Sequence, residues 1–355
     1  MVRGKRLTTP TVISIDGMGG DHAPGIVVRG LAIARERYPR VKFLLFGNEE
    51  ELKPLVASEK VLGDCCEIRH TPDKVTGDAK PSQAIRSGRN SSLWKSIEAV
   101  KAGEAAAVVS AGNTGALMAM SKLIMRTLPG IDRPAICSIF PTMRGETVML
   151  DLGANAVCDA RNLVEFAVMG ECFARAILGL ERPTIGLLNI GSEDLKGTDT
   201  LRDAANILRN SHLDIEFHGF VEGDDITKGT VDVVVTDGFT GNVSLKTAEG
   251  TAKLFSMFLK NAIKSSILAQ IGMLLAKPVI MQVMARTDPR KYNGALFVGL
   301  NGVAVKSHGG TDGFGFANAV GVAYDMISRD LNRRIGQELE RIGPPASALQ
   351  AVASE

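Results

Sequence analysis

The stretch TVISIDGMGGDHAP, residues 11–24, contains the pattern that repeats along this chain. An apolar, β-branched run (TVISI) is followed by a turn rich in glycine and then by a proline, which favours the start of a helix. The same order of strand, glycine turn and helical pattern recurs five times, at residues 105–116, 147–156, 184–199, 231–242 and 303–313. A further apolar run, VKFLLFG at residues 41–47, predicts a seventh strand.

Strands that read as continuous apolar runs and alternate with helices are typical of a mainly parallel sheet with both faces covered. We therefore predict an α/β fold in a single large domain over residues 10–342, with flexible tails at 1–9 and 343–355. In open parallel sheets, ligands bind beyond the carboxyl ends of the strands. Because the six glycine turns follow those ends, we expect one site assembled from all six.

The composition disfavours two classes of function. The 355 residues include 41 Lys and Arg against 39 Asp and Glu, and the resulting net charge of +2 is too balanced for a protein that binds the phosphate backbone of nucleic acid. Aromatic residues make up only 5% of the chain, too few for the stacking platforms of single-strand binders. Nucleic acid is therefore not an expected partner.

The cysteines predict a reducing, cytoplasmic compartment. The chain has five of them without C-x-x-C spacing, so they indicate neither a disulfide framework nor a zinc site, and no histidine motif for a metal is present. Cys66 and Cys158 have no histidine beside them, and we expect inert thiols rather than nucleophiles. The first apolar run is too short for a signal peptide, and no uncharged stretch reaches the roughly 20 residues that span a bilayer.

The first glycine turn matches neither common nucleotide-binding motif. The third glycine of G-x-G-x-x-G would fall at His22, and no G-x-x-x-x-G-K-[ST] follows in the chain. A glycine turn before a helix can still bind an anion, because bare backbone N–H groups and the helix N-terminus face the ligand. His22 and His308 lie at the mouths of such helices, where each either positions phosphate or serves as a hydrogen-bonded structural group.

Two side chains in other turns are candidates for anion contacts. Lys196 lies in the turn between Gly191 and Gly197, where its ammonium either faces an oxyanion or phosphate or is simply solvated. Asn242 precedes a helical pattern that includes Lys246, so its side chain either caps that helix or donates its amide to an oxyanion.

Residues 250–292 have a helical pattern throughout and an excess of basic residues. Apolar residues at helical spacing, interrupted by Pro278, predict two antiparallel helices with a tip near residues 265–280. We expect this arm to form a homodimer contact over most of its length. We also expect its tip to contact a membrane surface through Ile267, Leu268, Ile271, Leu274 and Leu275, which lie beside Lys264 and Lys277.

Taken together, the motifs resemble one family. MGGDHAP, SAGNTGALMA, DLGANA, LLNIGSEDLKG, VVTDGFTGNVSLKTAEG and KSHGG, in this order between about residues 12 and 325, are similar to bacterial phosphate acyltransferases. The resemblance implies transfer of a long-chain fatty acyl group from acyl carrier protein to inorganic phosphate, without cofactor or metal. The acyl phosphate formed would then serve a membrane glycerol-3-phosphate acyltransferase in phospholipid synthesis.

The resemblance also implies an architecture and roles for residues. It implies a three-layer αβα fold like that of isopropylmalate dehydrogenases and phosphotransacetylases, with a protruding helical hairpin, and a cytoplasmic homodimer attached peripherally to the membrane. By motif, Lys196 and Asn242 match the catalytic pair. The matched turns imply substrate or phosphate contacts by Gly19, Gly20, Asp21, His22, Asn113, Thr114, Asn155, Asn189, Asp237 and His308.

Three other functions remain open at this point. One is a short-chain phosphotransacetylase that acts on a coenzyme A thioester, and another is a related dehydrogenase that has lost its cofactor motif. The third is a non-catalytic regulator that binds acyl carrier protein through the same turns. Dependence of turnover on the carrier protein separates these functions.

Overall fold

The computed structural model describes residues 10–211, 213 and 215–342. The tails predicted at 1–9 and 343–355 lie outside the described residues. The division into one domain over 10–342 stays a prediction.

Within the described residues, eleven strands form one sheet. The strands are β1 (Thr11–Asp16), β2 (Val41–Gly47), β3 (Cys66–His70), β4 (Ala107–Ser110), β5 (Ala135–Pro141), β6 (Glu146–Leu150), β7 (Thr184–Leu188), β8 (Glu216–Val221), β9 (Val233–Val235), β10 (Ala295–Val298) and β11 (Val303–Lys306). Their order across the sheet is β3-β2-β1-β4-β11-β10-β5-β6-β9-β7-β8. All seven strands expected from the sequence are present.

The sheet is mainly parallel, as predicted, with an antiparallel centre. β10 runs antiparallel to both β11 and β5, and β5 runs antiparallel to β6, whereas the other neighbours are parallel. The strands on the two sides of this centre therefore run in opposite directions. The sequence analysis missed β3, β5, β8 and β10. β3 and β8 are half-exposed edge strands with polar residues. β5 and β10 each lead through a short turn directly to the next strand, so they lack the helix that completes the repeated pattern.

Helices cover both faces of the sheet. They are α1 (Gly25–Arg37), α2 (Glu49–Ser58), α3 (Pro81–Ser87), α4 (Ser92–Lys101), α5 (Thr114–Met125), α6 (Ala160–Ile177), α7 (Asp199–Asn210), α8 (Gly223–Lys228), α9 (Gly238–Lys264), α10 (Ile267–Thr287), α11 (Gly313–Ser328) and α12 (Leu331–Ile342). Short 3₁₀ turns occupy Lys60–Leu62 and Pro289–Tyr292.

The strands read as continuous apolar runs because successive side chains enter two different cores. In β11, Val303 and Val305 pack into the core that contains α1, α6 and α11. Ala304 between them packs into the core that contains α4 and α5. Both faces must therefore be apolar, which gives the predicted three layers of helix, sheet and helix.

The arm differs from the prediction in three respects. α9 begins at Gly238 rather than near residue 250. The turn between the helices, at residues 265–266, falls within the predicted tip, and the Ser266 side chain there caps α10 by accepting from the Ala269 N–H. The helices are not antiparallel, since the chain changes direction by 119°. Pro278 lies inside α10 and does not end it, because the helix tolerates the loss of one hydrogen bond.

The arm is exposed on nearly all sides. Large apolar side chains on both helices face solvent, among them Phe255 and Phe258 on α9 and Leu268 and Leu275 on α10, the last two 82% and 80% exposed. No single helix in the described part of the chain is long and apolar enough to cross a membrane. α9 with residues 267–282 meets that length and composition only as a bent pair.

Replacing Pro278 with Ala should stabilise α10 locally. The substitution restores an N–H that bonds to the carbonyl of Leu274 and removes the clash of the ring with that carbonyl, a change of up to about 3 kcal/mol. Amide hydrogen exchange over residues 274–282 should slow in Pro278→Ala. Val279→Ala is the control, because it changes a neighbouring side chain without adding an N–H. Equal exchange in the two variants would contradict a continuous helix through residue 278.

Candidate active site

The six glycine turns form two groups of three. Strand directions place the carboxyl ends of β1, β4 and β11 at one end of the sheet and those of β6, β7 and β9 at the opposite end. We name them the Asp16 group (turns 16–24, 110–114 and 307–313) and the Asp151 group (turns 151–158, 189–198 and 236–242). The antiparallel centre of the sheet reverses the strands between the two groups. Assembly of one site from all six turns stays a prediction.

A buried carboxylate holds the Asp16 group together. Asp16 is 2% exposed and accepts hydrogen bonds from the hydroxyls of Ser92 (2.6 Å) and Ser110 (2.7 Å). The Asp21 N–H donates to the carbonyl of Gly309 at 3.0 Å, which joins the first turn to the last. Burial raises the pKa of the Asp16 carboxyl, and the two hydroxyl donors oppose that shift.

A second buried carboxylate, Asp151, organises the other group. Its side chain is fully buried and accepts five N–H groups: the backbone N–H of Ile136 (2.9 Å), Gly153 (3.2 Å), Ala154 (3.0 Å) and Asn155 (2.7 Å), and the side-chain amide of Asn155 (2.9 Å). Burial raises the pKa of this carboxyl, and the donors act in the opposite direction. The backbone of the turn after β6 therefore surrounds the two carboxylate oxygens of Asp151.

The start of α9 packs directly onto this turn. The Gly238 N–H donates to the carbonyl of Asn155 at 2.7 Å, and a Cβ on Gly241 would lie 1.9 Å from the carbonyl oxygen of Asp151. Asp237 caps the helix, since its carboxylate accepts the N–H and the hydroxyl of Thr240. The alternative in which Asn242 caps the helix is therefore wrong, because the helix begins four residues before it.

The turn after β7 completes the Asp151 group. The register pairs Leu187 with Val235, so this turn lies beside the start of α9. The side chain of Asn189 closes the turn, because its amide donates to the carbonyl of Lys196 at 3.2 Å and its oxygen accepts the Ile190 N–H at 2.9 Å.

The predicted catalytic pair belongs to this group. Lys196 and Asn242 are exposed, and among the described residues no hydrogen bond or ion pair occupies either side chain. By contrast, Asn155, Asn189 and Asp237 use their side chains inside the fold. The structure therefore gives these three residues structural roles, and direct substrate contacts by their side chains stay a prediction.

The remaining predicted residues lie in the Asp16 group. Asn113 caps α5 by accepting the Ala116 N–H at 2.8 Å, and its amide donates to the carbonyls of Gly77 and Ala79, so its side chain is fully used. The other side chains are exposed at the surface of the group: Asp21, His22, Thr114 and His308. Gly19 and Gly20 pack tightly against the turn after β4. Their phosphate contacts stay predictions.

The sequence analysis missed the organising carboxylates Asp16 and Asp151 and the basic residue Lys306. Both carboxylates share a signal that could have revealed them: each directly follows an apolar strand and precedes a glycine turn. Lys306 ends β11, and its ammonium interacts electrostatically with Lys246 of α9. Since α9 starts in the Asp151 group, this helix connects the two groups.

The thiols are poor nucleophiles. The Cys158 thiol lies beside the Asp151 group, 3.7 Å from the carbonyl of Asn155, and burial raises its pKa to about 11. Burial also raises the pKa of Cys66, to about 12. Because the thiolate is the nucleophilic form, both thiols are unreactive at neutral pH.

Comparison with known sequences identifies the family. A family model described as "Fatty acid synthesis protein" matches residues 11–334. The chain is 65% identical to a phosphate acyltransferase from Rhodospirillum rubrum, covering 95% of this chain and 96% of that one. It is 61% identical to a phosphate acyltransferase from Paramagnetospirillum magneticum, with the same coverage. The chain belongs to the phosphate acyltransferase family. It is an acyltransferase, as the motifs predicted.

Solved structures confirm the fold of this phosphate acyltransferase. A phosphotransacetylase from Streptococcus pyogenes matches with a TM-score of 0.60 at 17% identity, covering 93% of this chain and 95% of that one. A phosphotransacetylase from Staphylococcus aureus matches with a TM-score of 0.57 at 16% identity, covering 90% and 93%. The predicted phosphotransacetylase-like architecture is therefore confirmed.

Gly241→Ala should disrupt the Asp151 group. The new methyl group would overlap the carbonyl of Asp151, so the start of α9 must move away, at a cost of about 1–3 kcal/mol or more. The Tm of thermal unfolding and the acyltransferase activity should both fall. The matched control is Gly250→Ala on the same helix, where a Cβ meets open space and should stabilise the helix by up to about 1 kcal/mol. Equal stability of the two variants would contradict the close packing of α9.

Proposed function

We propose that this phosphate acyltransferase transfers a long-chain fatty acyl group from acyl carrier protein to inorganic phosphate and releases the free carrier. One observation carries the proposal: Lys196 and Asn242 are exposed donors on adjacent turns, while the amides and carboxylates around them are used inside the fold. Two preorganised donors are what an oxyanion requires. The names of the relatives supply the reaction class.

The proposed chemistry is direct attack in a ternary complex. An oxygen of the phosphate dianion forms a bond to the thioester carbonyl carbon, and the negative charge moves to the carbonyl oxygen, where Lys196 and Asn242 donate to it. The carbon–sulfur bond then breaks, acyl phosphate forms, and the carrier leaves as a thiolate that takes up a proton. Phosphate is largely dianionic at neutral pH and needs no strong base. The raised pKa of Cys158 disfavours an acyl-enzyme.

Apolar side chains around the Asp151 group favour a long acyl chain over an acetyl group. Ile190 and Leu195 in the turn after β7 are 80% and 89% exposed, and Phe239 at the start of α9 is 68% exposed. Val157 and Val243 are exposed nearby. Clustered exposed apolar side chains usually mark a binding surface, whereas scattered ones do not. A long hydrocarbon chain would cover them.

The arm is proposed to serve the dimer and the membrane. Its apolar side chains have no cover within the chain, and a second copy of the arm would bury most of them. The exposed tip residues Leu268, Leu274 and Leu275 lie beside Lys264 and Lys277, which suits the surface of an anionic bilayer. Attachment there would release acyl phosphate close to a membrane glycerol-3-phosphate acyltransferase.

The reaction is tested by phosphate-dependent release of free thiol from palmitoyl-acyl carrier protein, with hydroxylamine trapping of the acyl phosphate. Lys196→Ala and Asn242→Ala should each lower kcat by about 10²- to 10³-fold, because each removes an oxyanion donor. Lys53→Ala, which removes an exposed lysine on α2, is the control and should leave the rate unchanged.

Four outcomes contradict this function. Release that does not require phosphate excludes the reaction, and a stable acyl adduct on a cysteine after incubation with the donor alone excludes direct attack. Activity with acetyl-coenzyme A but not with the carrier supports a short-chain phosphotransacetylase. Binding of the carrier without turnover of either donor supports the regulator.

Membrane attachment is tested by flotation with anionic phospholipid vesicles. Leu274→Glu should lower the fraction of protein that floats, because a carboxylate at the tip opposes both burial in the interface and binding to anionic lipid. Met143→Glu, which replaces an exposed methionine outside the arm, should float like the parent protein. Unchanged flotation of Leu274→Glu would exclude the tip as the contact.

A further inference from the structure

Lys306 occupies an unusual position for a lysine. It is mostly buried at the end of β11, and its ammonium donates to the carbonyl of Ala111 at 3.2 Å and to the carbonyl of Ser307. An ammonium has three N–H donors, so one remains for a further acceptor. Within the described residues, no carboxylate lies within ion-pair distance of it. Asp16 and Asp21 act on this ammonium only from beyond that distance. A mostly buried charge without a counter-ion in contact is costly, and an anion that binds to it relieves part of this cost.

The charges that face Lys306 come from the first turn and from α9. Asp16 and Asp21 belong to the first turn, but the oxygens of Asp16 already accept the hydroxyls of Ser92 and Ser110. Lys246 approaches from α9 and repels the Lys306 ammonium. Burial is the main cause that lowers the pKa of Lys306, to about 8.

The surroundings of these two lysines suit an oxyanion. The ammonium of Lys306 contacts the turn after β4 through the carbonyl of Ala111 and the turn after β11 through the carbonyl of Ser307. Lys246 is exposed and forms an ion pair with Glu249 at 2.8 Å, a surface pair that an incoming dianion can displace at little cost. Two cations from separate elements that face one another favour a dianion between them.

We propose that Lys306, with Lys246 facing it from α9, binds a phosphoryl group of the substrates. This inference rests on the proposed function. The phosphoryl group has two possible sources, the inorganic phosphate that attacks and the phosphodiester that joins the thiol-bearing arm to the carrier. Both present anionic oxygens to an ammonium. Lys246 lies one turn beyond Asn242 on α9, so a phosphoryl group held there lies close to this proposed oxyanion donor.

The first test measures phosphate binding without turnover. Inorganic phosphate, compared with chloride at equal ionic strength and near neutral pH, should raise the Tm of the parent protein if the group is orthophosphate. Lys306→Met should abolish that shift, measured against the Tm of the same variant in chloride, because Lys306 also offsets the buried Asp16 carboxylate and its removal can change the Tm in buffer alone. Lys53→Met is the matched control. This measurement needs no acyl donor, so it stays informative if the proposed reaction fails.

The second test separates the two sources by steady-state kinetics. Lys306→Met should raise one KM by about 10- to 100-fold, the range expected when a hydrogen bond to a charged group is lost. A higher KM for phosphate identifies orthophosphate, and a higher KM for the carrier identifies the phosphodiester. Lys246→Met should raise the same KM by a smaller factor, because Lys246 is exposed.

The pH dependence of KM distinguishes phosphoryl binding by the Lys306 ammonium from a purely structural role of this residue. In the parent protein the affected KM should rise above about pH 8, where Lys306 loses its proton. In Lys306→Arg, which keeps its charge, the KM should stay flat over the same range. Unchanged KM values for both substrates in Lys306→Met and Lys246→Met would overturn the proposal.

Discussion

The geometry of the Asp151 group depends on one desolvated carboxylate. Asp151 has no access to water, and it is compensated by N–H groups from β5 and from its own turn rather than by a cation. Because a buried carboxylate without donors would be very unfavourable, the turn must close around it. Closure fixes the carbonyl of Asn155, which receives the N–H of Gly238 and thereby sets the start of α9. The position of Asn242 follows from that contact.

Side chains in the Asp151 group divide into those that bond inside the fold and those that stay exposed. Asn155, Asn189 and Asp237 are polar and lie at the ends of strands, which made them candidates for ligand contacts. Each is consumed by bonds that shape its own turn. Lys196 and Asn242 remain exposed because turns built by other residues carry them. A rigid support of this kind keeps exposed donors in fixed positions, as oxyanion stabilisation requires.

Much of the fold was predictable because its parallel strands follow a strong local rule. Seven strands with apolar runs, such as β6 and β11, were recognised, and their glycine turns were correctly placed at carboxyl ends. β5 and β10 were not, and these two strands reverse the sheet and divide the turns into two groups. Lys306 was missed because its position beside Ala111 results from the pairing of β11 with β4, which lie far apart in the chain. Pro278 was wrongly predicted to interrupt the helical pattern, because α10 continues through this residue despite the low helix propensity of proline.

α9 is a single helix of 27 residues, about 40 Å long at the usual rise of roughly 1.5 Å per residue. Asn242 lies near its first turn, Lys246 lies one turn further on, and its last turns form the arm. One continuous helix therefore carries both the proposed oxyanion donor Asn242 and part of the exposed surface of the arm. If α9 moves as one rigid segment, a rotation of the arm also moves the amide of Asn242.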